Sequence, residues 1–311
     1  MNKHEAAAVV NFPAVPTATP VVILPPGAIE DPAQHGAQRV ICMDARGLRP
    51  ALTWSPALVM RDSDTVLKVQ ATLVPTGGHG HEQAMVSAIP RPDLDIVPLL
   101  SERLCAIEGV VRPTVALLQS IQSPALRRLM SDVFSRNEVF WDYWQAPASL
   151  SHHHAYPGGL ASHCLEMAID LPVRLSAPER DLALVGCFLH DIGKVITYDE
   201  QGGLTDKAQV LGHELLSLDV VWQPLKTLEA QWPDTAYVLR QLVTGVWKLR
   251  RDRHQELMAV TTVINTLDRL SAERDRRRQA RAGSTPWAPR EWTDPCYDGK
   301  SEATSDADVP F

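Results

Sequence analysis

Residues Glu179 to Ile196 read ERDLALVGCFLHDIGKVI. An almost continuous apolar run ends there in the adjacent pair His190 and Asp191, followed by Gly193 and Lys194. The length of the run predicts a buried helix. An imidazole and a carboxylate at the end of such a helix are costly to bury unless something pairs them. A divalent metal ion would do so, and the pair therefore predicts a metal site.

A second histidine-rich stretch, SHHHAYPGGLASHCLEMA, covers Ser151 to Ala168. Beyond its two glycines the pattern predicts a helix with one apolar face, formed by Leu160, Cys164, Met167, Ala168 and Leu171. His163 lies beside that face. A single such histidine is more often a hydrogen-bonded core residue than a ligand. Because the His190 and Asp191 pair follows closely, we interpret His163 as a metal ligand.

A third helix is predicted over MAVTTVINTLDRLSAERDRR, which begins at Met258. Its inward stripe consists of Val260, Ile264, Leu267 and Ser271. Asp268 lies on or beside the stripe, and exposure at the edge of the stripe is the alternative to a buried ligand. His163, His190, Asp191 and Asp268 together form a mixed nitrogen and oxygen set. Such a set suits a divalent ion, manganese first, with iron, magnesium, cobalt or zinc as alternatives.

The order of these residues, with the pair embedded in FLHDIGK, resembles the HD superfamily of metal-dependent phosphohydrolases. The resemblance covers roughly residues 99 to 281 and implies a helical fold in which the four positions bind the first metal. The upstream block SHHHAYPGGLASH resembles two groups within the superfamily. These are the HD-domain 3′–5′ exonucleases and the N-terminal, TraI-like domain of MobH-type relaxases of conjugative elements.

The segment QVLGHELLSLDVV, which contains His213, is more similar to the exonuclease group. His213 is therefore a further candidate metal ligand. That group has a histidine pair between this glycine-histidine and the final aspartate, whereas RQLVTGVWKLR at the corresponding place contains none. His254 is the only histidine in the interval and lies in a polar run. A complete second metal site is not expected.

The resemblance also implies catalytic roles. Asp191 would lie closest to the attacking water, and Lys194, a turn after the pair, would face phosphate as a fixed positive charge. A surface lysine is the alternative. His153 and His154 would line the substrate side of the metal as proton donors or phosphate hydrogen-bonders. Three successive side chains cannot all point the same way, so at most two of His152, His153 and His154 should face the site.

The composition and hydrophobic periodicity of the sequence predict three regions. Residues 1–98 are rich in proline and in short β-forming runs (PVVIL, RVICMDARG, PALVM and TVLKVQATLV), which predicts a small β-rich module. Residues 99–282 are patterned as helices, including SERLCAIEGVV, and predict the metal-binding domain. Residues 283–311 lack periodicity and predict a flexible tail. The fold class expected is mainly α, an HD-type helical bundle with a small N-terminal β module.

We expect a metal-dependent phosphodiester hydrolase acting on single-stranded RNA or DNA, as a nuclease or a relaxase-like protein of a mobile element. The related exonucleases carry an OB-type nucleic-acid module where this chain has its β-rich segment. Basic patches at KLRRDRH and RDRRRQAR, and stacking by Trp141 and Trp144, are further candidate contacts. Solvated helix faces and core packing are the respective alternatives. A nucleotide phosphohydrolase and a non-catalytic accessory protein are the competing functions.

Composition limits these expectations only weakly. The net charge of −7 does not indicate a nucleic-acid binder as a whole, so such a role depends on local patches. The five cysteines are scattered and never form a CxxC pair, which favours reduced thiols and a cytoplasmic protein. No run approaches the roughly 18 apolar residues of a membrane span. His79 and His81, in the loop TGGHGHEQ, fit a turn better than a metal site, and a homo-oligomer is compatible with the sequence.

Overall fold

The protein consists of a small β-barrel packed on a larger helical domain, as seen in a computed structural model. The structure describes residues 18–23, 38–53, 65–75, 83–199, 202–245 and 255–282. The strands lie in the N-terminal part and the helices follow them, which confirms the predicted combination of a helical domain with a small N-terminal β module. In the described part of the chain, no helix has the length and apolar character needed to cross a bilayer. Cys42, Cys105, Cys164 and Cys187 are buried free thiols.

Five strands close the barrel. They are β1 (Ala18–Ile23), β2 (Gln38–Asp44), β3 (Gly47–Thr53), β4 (Leu67–Pro75) and β5 (Gln83–Pro90). Their order around the barrel is β1-β2-β3-β5-β4, in which β3 and β5 run parallel and the other neighbours run antiparallel. A closed five-stranded Greek-key barrel is the architecture of OB folds.

The sequence patterns anticipate only part of this barrel. They predict β1, β2 and β4, but neither β3, which reads GLRPALT, nor β5, which reads QAMVSAIP. Both missed strands contain proline and alanine, which strands disfavour, and the closed sheet supplies partners that local propensity cannot reveal. The PALVM run and the TGGHGHEQ loop up to Glu82 lie outside the described residues.

The barrel is attached to the helices through its outer wall. Val22 and Met43 point away from the barrel interior and are fully buried within the same apolar cluster as the helical core. The backbone N–H of Val66 donates to the carbonyl of Ser135 at 2.8 Å. The barrel and the helical domain therefore share one continuous hydrophobic contact.

The helical domain contains eight helices within the described residues. They are α1 (Val111–Gln119), α2 (Pro124–Phe134), α3 (Asn137–Asp142), α4 (Gly159–Ile169), α5 (Ala177–Leu189), α6 (Asp206–Glu229), α7 (Pro233–Thr244) and α8 (Gln255–Ala282). A 3₁₀ segment, Ile192–Ile196, follows α5. The prediction that SERLCAIEGVV is helical is wrong for most of its length. Residues 101–110 form turns and one short 3₁₀ segment, Glu102–Leu104, because Gly109 takes a positive φ of 80° just before α1.

Aromatic packing beneath α3 decides the roles of two tryptophans. Trp144 is fully buried and stacks on Phe134 with ring centroids 5.6 Å apart. Trp141 packs edge-on against Phe140 at 5.4 Å. Base stacking by Trp144 is therefore excluded, and both rings contribute to the core as the alternative interpretation predicts.

Helix α5 carries the apolar run and is fixed at both ends. It begins with a capping box in which Ser176 and Glu179 satisfy each other's backbone N–H groups. In its last turn, Gly186 lies so close to α8 that a Cβ atom there would be 2.3 Å from Cδ1 of Ile264. This close approach brings α8 against the C-terminal end of α5.

Helix α6 approaches the end of α5 through a second glycine contact. A Cβ atom on Gly193 would lie 2.1 Å from the carbonyl oxygen of His213 and 2.4 Å from the backbone nitrogen of Ser217. The backbone N–H of Gly193 also donates to Ser217 Oγ at 2.8 Å. Within α6, Gly212 leaves the helical conformation with φ 73° and ψ 160°. The glycine of HDIGK thus allows the kinked part of α6 to lie against the 3₁₀ segment.

We predict that Gly193→Ala destabilises the protein by about 1–3 kcal/mol, the usual cost of overpacking, because backbone atoms cannot move aside. Gly186→Ala is the matched control, since its Cβ would meet only the end of the Ile264 side chain, which can rotate. The measurement is urea unfolding of both variants. Equal losses of stability would contradict the close backbone contact at Gly193.

Candidate metal centre

His163 lies at the centre of the site on α4. Every residue of this helix from Gly159 to Ala168 is buried, so the predicted single apolar face is only one part of a helix enclosed on all sides. His163 itself is 0% exposed. Its Nδ1 lies 3.0 Å from Ser271 Oγ, and its Nε2 lies 3.3 Å from a carboxylate oxygen of Asp268. Both contacts come from α8, which therefore holds the ring from two sides.

His190 is the C-cap residue of α5 and points its Nε2 into the same space. Its Nδ1 lies 3.0 Å from the carbonyl oxygen of Cys187. Because a carbonyl can only accept, the proton is on Nδ1 and the lone pair of the neutral ring is on Nε2. The rings of His163 and His190 have centroids 5.4 Å apart. The helix end thus presents His190 in the tautomer that a metal ion requires.

The carboxylate of Asp191 has three basic neighbours. His213 Nε2 lies 3.1 Å from its Oδ1, and His190 Nε2 lies 3.4 Å from its Oδ2. Lys194 Nζ donates directly to Oδ2 and is 8% exposed. The structure differs here from the expected position of Lys194 facing phosphate, because the 3₁₀ turn returns its ammonium group to Asp191. His213 is brought to the site by the break at Gly212, as a neighbour of Asp191.

Charges around Asp191 are strongly coupled. Burial opposes ionisation of Asp191, but Lys194 and His190 beside it hold the pKa of its carboxyl well below the usual value. Burial likewise opposes the charge on Lys194, and the Asp191 carboxylate raises the pKa of Lys194 above its ordinary value. The two groups form an ion pair away from bulk water. A cation that enters the site would share this carboxylate with Lys194.

The three histidines of the triplet differ in burial because their backbone directs the side chains differently. His152 is exposed, His153 is half-buried and His154 is fully buried. His154 takes a positive φ of 47°, and its N–H donates to Asp275 on α8 at 2.7 Å. The rings of His153 and His154 each have centroids 5.3 Å from that of His163. Two of the three imidazoles therefore face the site, within the limit of two that the backbone sets.

Two overlapping sets of side chains place their donor atoms within 4.8 Å of one another. One set is His163, His190 and Asp191, and the other is His153, His163 and Asp268. The sequence predicts that Asp268 meets the HD pair at a single point. The structure instead pairs Asp268 with His163 and His153, because Asp268 lies on α8 at the outer edge of the site with its side chain 39% exposed.

The donor atoms have the properties of metal ligands. Within the described part of the chain, the Nε2 atoms of His153, His154, His163 and His190 are buried and make no well-formed hydrogen bond, although carboxylate oxygens lie 3.3–3.5 Å from the last three. Buried polar atoms are rarely left in this state without a water or an ion. Burial lowers the pKa of His153 and of His163 to about 4, so both rings are neutral at pH 7. Neutral imidazoles beside two carboxylates fit a divalent cation.

Several residues that contact the site are missed by the sequence patterns. Glu166, Asp275 and Arg278 are buried or half-buried polar residues beside the histidines. Glu166 follows His163 by three residues, and the two α8 residues continue the inward stripe that ends at Ser271. Helical spacing was therefore the signal that could have placed all three on the faces that line the site. Polar residues on a predicted helix face are more often solvated, which is why the pattern alone did not single them out.

The basic patch on α8 is largely occupied by internal ion pairs. Arg274 contacts Asp170, Arg278 contacts Glu166, and Arg277 lies 2.9 Å from Glu273. Of the RDRRRQAR segment, these side chains thus support the solvated, ion-paired interpretation over a continuous track for nucleic acid. The other patch, KLRRDRH with His254, lies outside the described residues.

Comparison with known proteins agrees with this geometry. Residues 158–231 match the family described as HD domain, a segment that extends from the start of α4 to the end of α6. The match supports the HD superfamily and a metal-dependent hydrolase, and it includes His163, His190, Asp191 and His213. Asp268 and the triplet lie outside the matched segment, so their place beside His163 comes from the structure. No solved structure matches the chain.

We predict that His163→Ala weakens Mn²⁺ binding by more than about 100-fold, because His163 belongs to both ligand sets and even the partners that orient a ligand are worth about 10- to 100-fold. His152→Ala is the control, since it removes an exposed imidazole of the same triplet. Isothermal titration calorimetry measures both affinities. Equal affinities would contradict the central position of His163.

We predict that the metal-free protein loses stability as the pH falls from 7 to 5. The unfolded chain takes up protons on His153 and His163 near the ordinary pKa of about 6.5, whereas the folded protein does so only near 4. Stability is therefore lost below pH 6.5. The raised pKa of His190, where burial is outweighed by Asp191, affects only the range above 6.5.

Urea unfolding in EDTA at pH 7 and pH 5 measures this loss. His163→Gln removes one of the two groups and should show a smaller decrease over the same interval. An equal decrease in wild type and His163→Gln would mean that His163 is not held neutral by burial.

Proposed function

We propose that this protein is an HD-type phosphodiesterase that cleaves single-stranded nucleic acid with the help of a divalent metal ion, Mn²⁺ being the first candidate. The proposal rests on the cluster of buried imidazole nitrogens that lack a well-formed hydrogen bond and lie beside the carboxylates of Asp191 and Asp268. The attached barrel, with its OB architecture, supports nucleic acid as the substrate class. The resulting class is a nuclease or a relaxase-like protein of DNA transfer.

His163 would hold the cation together with either His190 and Asp191 or His153 and Asp268. When bound, a divalent cation supplies positive charge that polarises a phosphoryl group and lowers the pKa of water to about 7. Asp191 is best placed to orient the attacking water, because its Oδ1 faces His213 at the partly exposed side of the site. The low pKa of His153 makes it a ligand or a hydrogen-bond acceptor at neutral pH instead of a proton donor.

Lys194 acts in this proposal through Asp191. Its ammonium group holds the carboxylate in place and balances its charge before substrate arrives. When a phosphate group binds beside Asp191, the Lys194 ammonium group would contribute positive charge near the negative charge that develops on the phosphoryl oxygens. His213, whose side chain is partly exposed, is the group available to hydrogen-bond a phosphate oxygen, whereas His154 is fully buried beside Glu166 and is not.

The barrel imposes a condition on how a strand would bind. OB folds use the face of their second and third strands for oligonucleotides. In this protein Met43 on β2 is buried in the helical core, and Leu48 on β3 packs against that core. A nucleic-acid strand would therefore lie along the junction of barrel and helices instead of covering that whole face. Such a path leads toward the helical domain that holds the metal centre.

One observation favours a second function, that of a non-catalytic accessory protein. The ion pair between Lys194 and Asp191 satisfies the central carboxylate without any metal ion. A retained but inactive site would keep this contact for stability alone. A free nucleotide contains the same phosphoryl chemistry and is the alternative substrate, so oligonucleotides and nucleotides need to be compared in one assay.

We predict Mn²⁺-dependent cleavage of single-stranded DNA or RNA oligonucleotides and little hydrolysis of free dNTPs. Asp191→Ala should reduce cleavage by at least about 100-fold and also weaken metal binding. Asp219→Ala is the control, because Asp219 forms an exposed ion pair with Lys207 elsewhere on α6. Lys194→Ala should retain the metal and lower turnover.

The measurement is a gel assay of oligonucleotide length with and without Mn²⁺, together with phosphate release from dNTPs. Preferential dNTP hydrolysis would replace the nuclease by a nucleotide phosphohydrolase. Metal binding without hydrolysis of any substrate would favour the accessory protein.

A further inference from the structure

A polar stripe runs along the inner face of α8. It consists of Asp268, Ser271, Asp275 and Arg278, at intervals of three and four residues. Asp268 and Ser271 contact His163, Asp275 accepts from the N–H of His154, and Arg278 contacts Glu166. Only Asp268 belongs to a candidate ligand set. The other contacts need a different explanation, since polar groups this close to a core are costly unless each serves a defined hydrogen bond.

Ser271 links two buried groups on α4. Its Oγ lies 2.7 Å from Glu166 Oε2 and 3.0 Å from His163 Nδ1. A hydroxyl has one proton to donate, and an ionised carboxylate can only accept. The Ser271 proton therefore goes to Glu166, and the Ser271 oxygen accepts from His163. This leaves the proton of His163 on Nδ1 and its lone pair on Nε2.

Glu166 is held in the ionised state that this direction requires. Its side chain is 3% exposed, Ser271 donates to one of its oxygens and Arg278 contacts the other. Burial raises the pKa of its carboxyl, but His154, Ser271 and Arg278 beside it outweigh burial and hold that pKa well below the usual value. An ionised carboxylate that accepts from both Ser271 and Arg278 fixes the direction of the Ser271 hydrogen bond.

The side of the His163 ring that faces Asp268 favours the tautomer with the proton on Nε2. Asp268 Oδ1 lies 3.3 Å from Nε2 and would attract a proton there. If Nε2 carried the proton, it could not bind a cation. Two carboxylates thus compete for one imidazole proton, Asp268 directly and Glu166 through Ser271.

We propose that Glu166 and Ser271 are positioning residues that keep His163 protonated on Nδ1, so that its Nε2 is free to bind a metal ion. The inference rests on the metal site of the proposed function and deepens it. Glu166 touches neither metal nor substrate and acts through Ser271. Partners of this kind orient a ligand and are typically worth about 10- to 100-fold in metal affinity.

Glu166→Gln reverses the direction of the hydrogen bonds that run from residue 166 through Ser271 to His163, and it leaves the volume of the side chain almost unchanged. Arg278 can only donate, so the amide oxygen faces Arg278 and the amide NH₂ faces Ser271. Ser271 then accepts from the amide and donates to His163 Nδ1, which transfers the imidazole proton to Nε2 beside Asp268. Glu229→Gln is the matched control, because Glu229 accepts from Arg240 at 2.6 Å between α6 and α7, away from the site.

The experiment records the ¹⁵N-histidine NMR spectrum of the metal-free, full-length protein, from which the protonated ring nitrogen of His163 is identified. Calorimetry then gives the affinity for Mn²⁺. We expect protonation on Nδ1 in wild type and Glu229→Gln, and on Nε2 in Glu166→Gln. Mn²⁺ affinity should fall about 10- to 100-fold in Glu166→Gln alone.

Ser271→Ala provides a second variant should Glu166→Gln fail to fold, with Ser131→Ala as its control. Ser131 is equally buried and accepts only a structural hydrogen bond from the Ile96 N–H. The inference is overturned if Glu166→Gln or Ser271→Ala keeps the wild-type tautomer. It is also overturned if the tautomer changes while Mn²⁺ affinity does not. Absence of Mn²⁺ binding in wild type would refute the metal site of the proposed function, and the tautomer comparison would still be decided by NMR.

Discussion

The burial of His163 constrains the elements around the site, because this imidazole is enclosed on all sides and its Nε2 makes no well-formed hydrogen bond. Removing such a group from water is unfavourable unless hydrogen bonds or a cation replace the lost solvent. Ser271 satisfies Nδ1, and the shared space next to Asp191, His190 and His153 leaves Nε2 for an ion. Every element near the site can be understood as meeting this constraint. Helix α4 supplies the ring, α5 ends at the second histidine, and α8 contacts both sides of the ring.

Close backbone packing makes this convergence possible. Gly186 lets α8 approach α5, and Gly193 lets the kinked α6 approach the 3₁₀ segment that carries Lys194. Gly159 similarly lets α4 begin beside the triplet, because a Cβ there would lie 2.0 Å from the carbonyl oxygen of His154. The glycines near the histidines and in HDIGK are therefore part of the site, although none of them carries a functional group. They explain why chemistry-bearing side chains from separate helices reach one place.

Much of this arrangement follows from local sequence, and the rest depends on tertiary contacts. The apolar run before His190 predicts its helix because periodicity and length are local properties, and the stripe at Val260, Ile264 and Leu267 is buried as its spacing predicts. Strands β3 and β5 were missed because ring closure stabilises them against weak propensity. The ion pair of Lys194 with Asp191 could not be predicted, because it depends on a 3₁₀ turn that reverses the side chain. Glu166 was overlooked because no local pattern shows that α8 covers it.

We expect one divalent cation to bind at Nε2 of His163. Anomalous diffraction from crystals grown with Mn²⁺ measures this directly, because it locates the ion independently of activity. The anomalous peak should lie about 2.0–2.3 Å from His163 Nε2, with at least one further imidazole nitrogen and one carboxylate oxygen at a similar distance. A saturated crystal with no peak at His163, or with Mn²⁺ held only by carboxylates elsewhere, would contradict it.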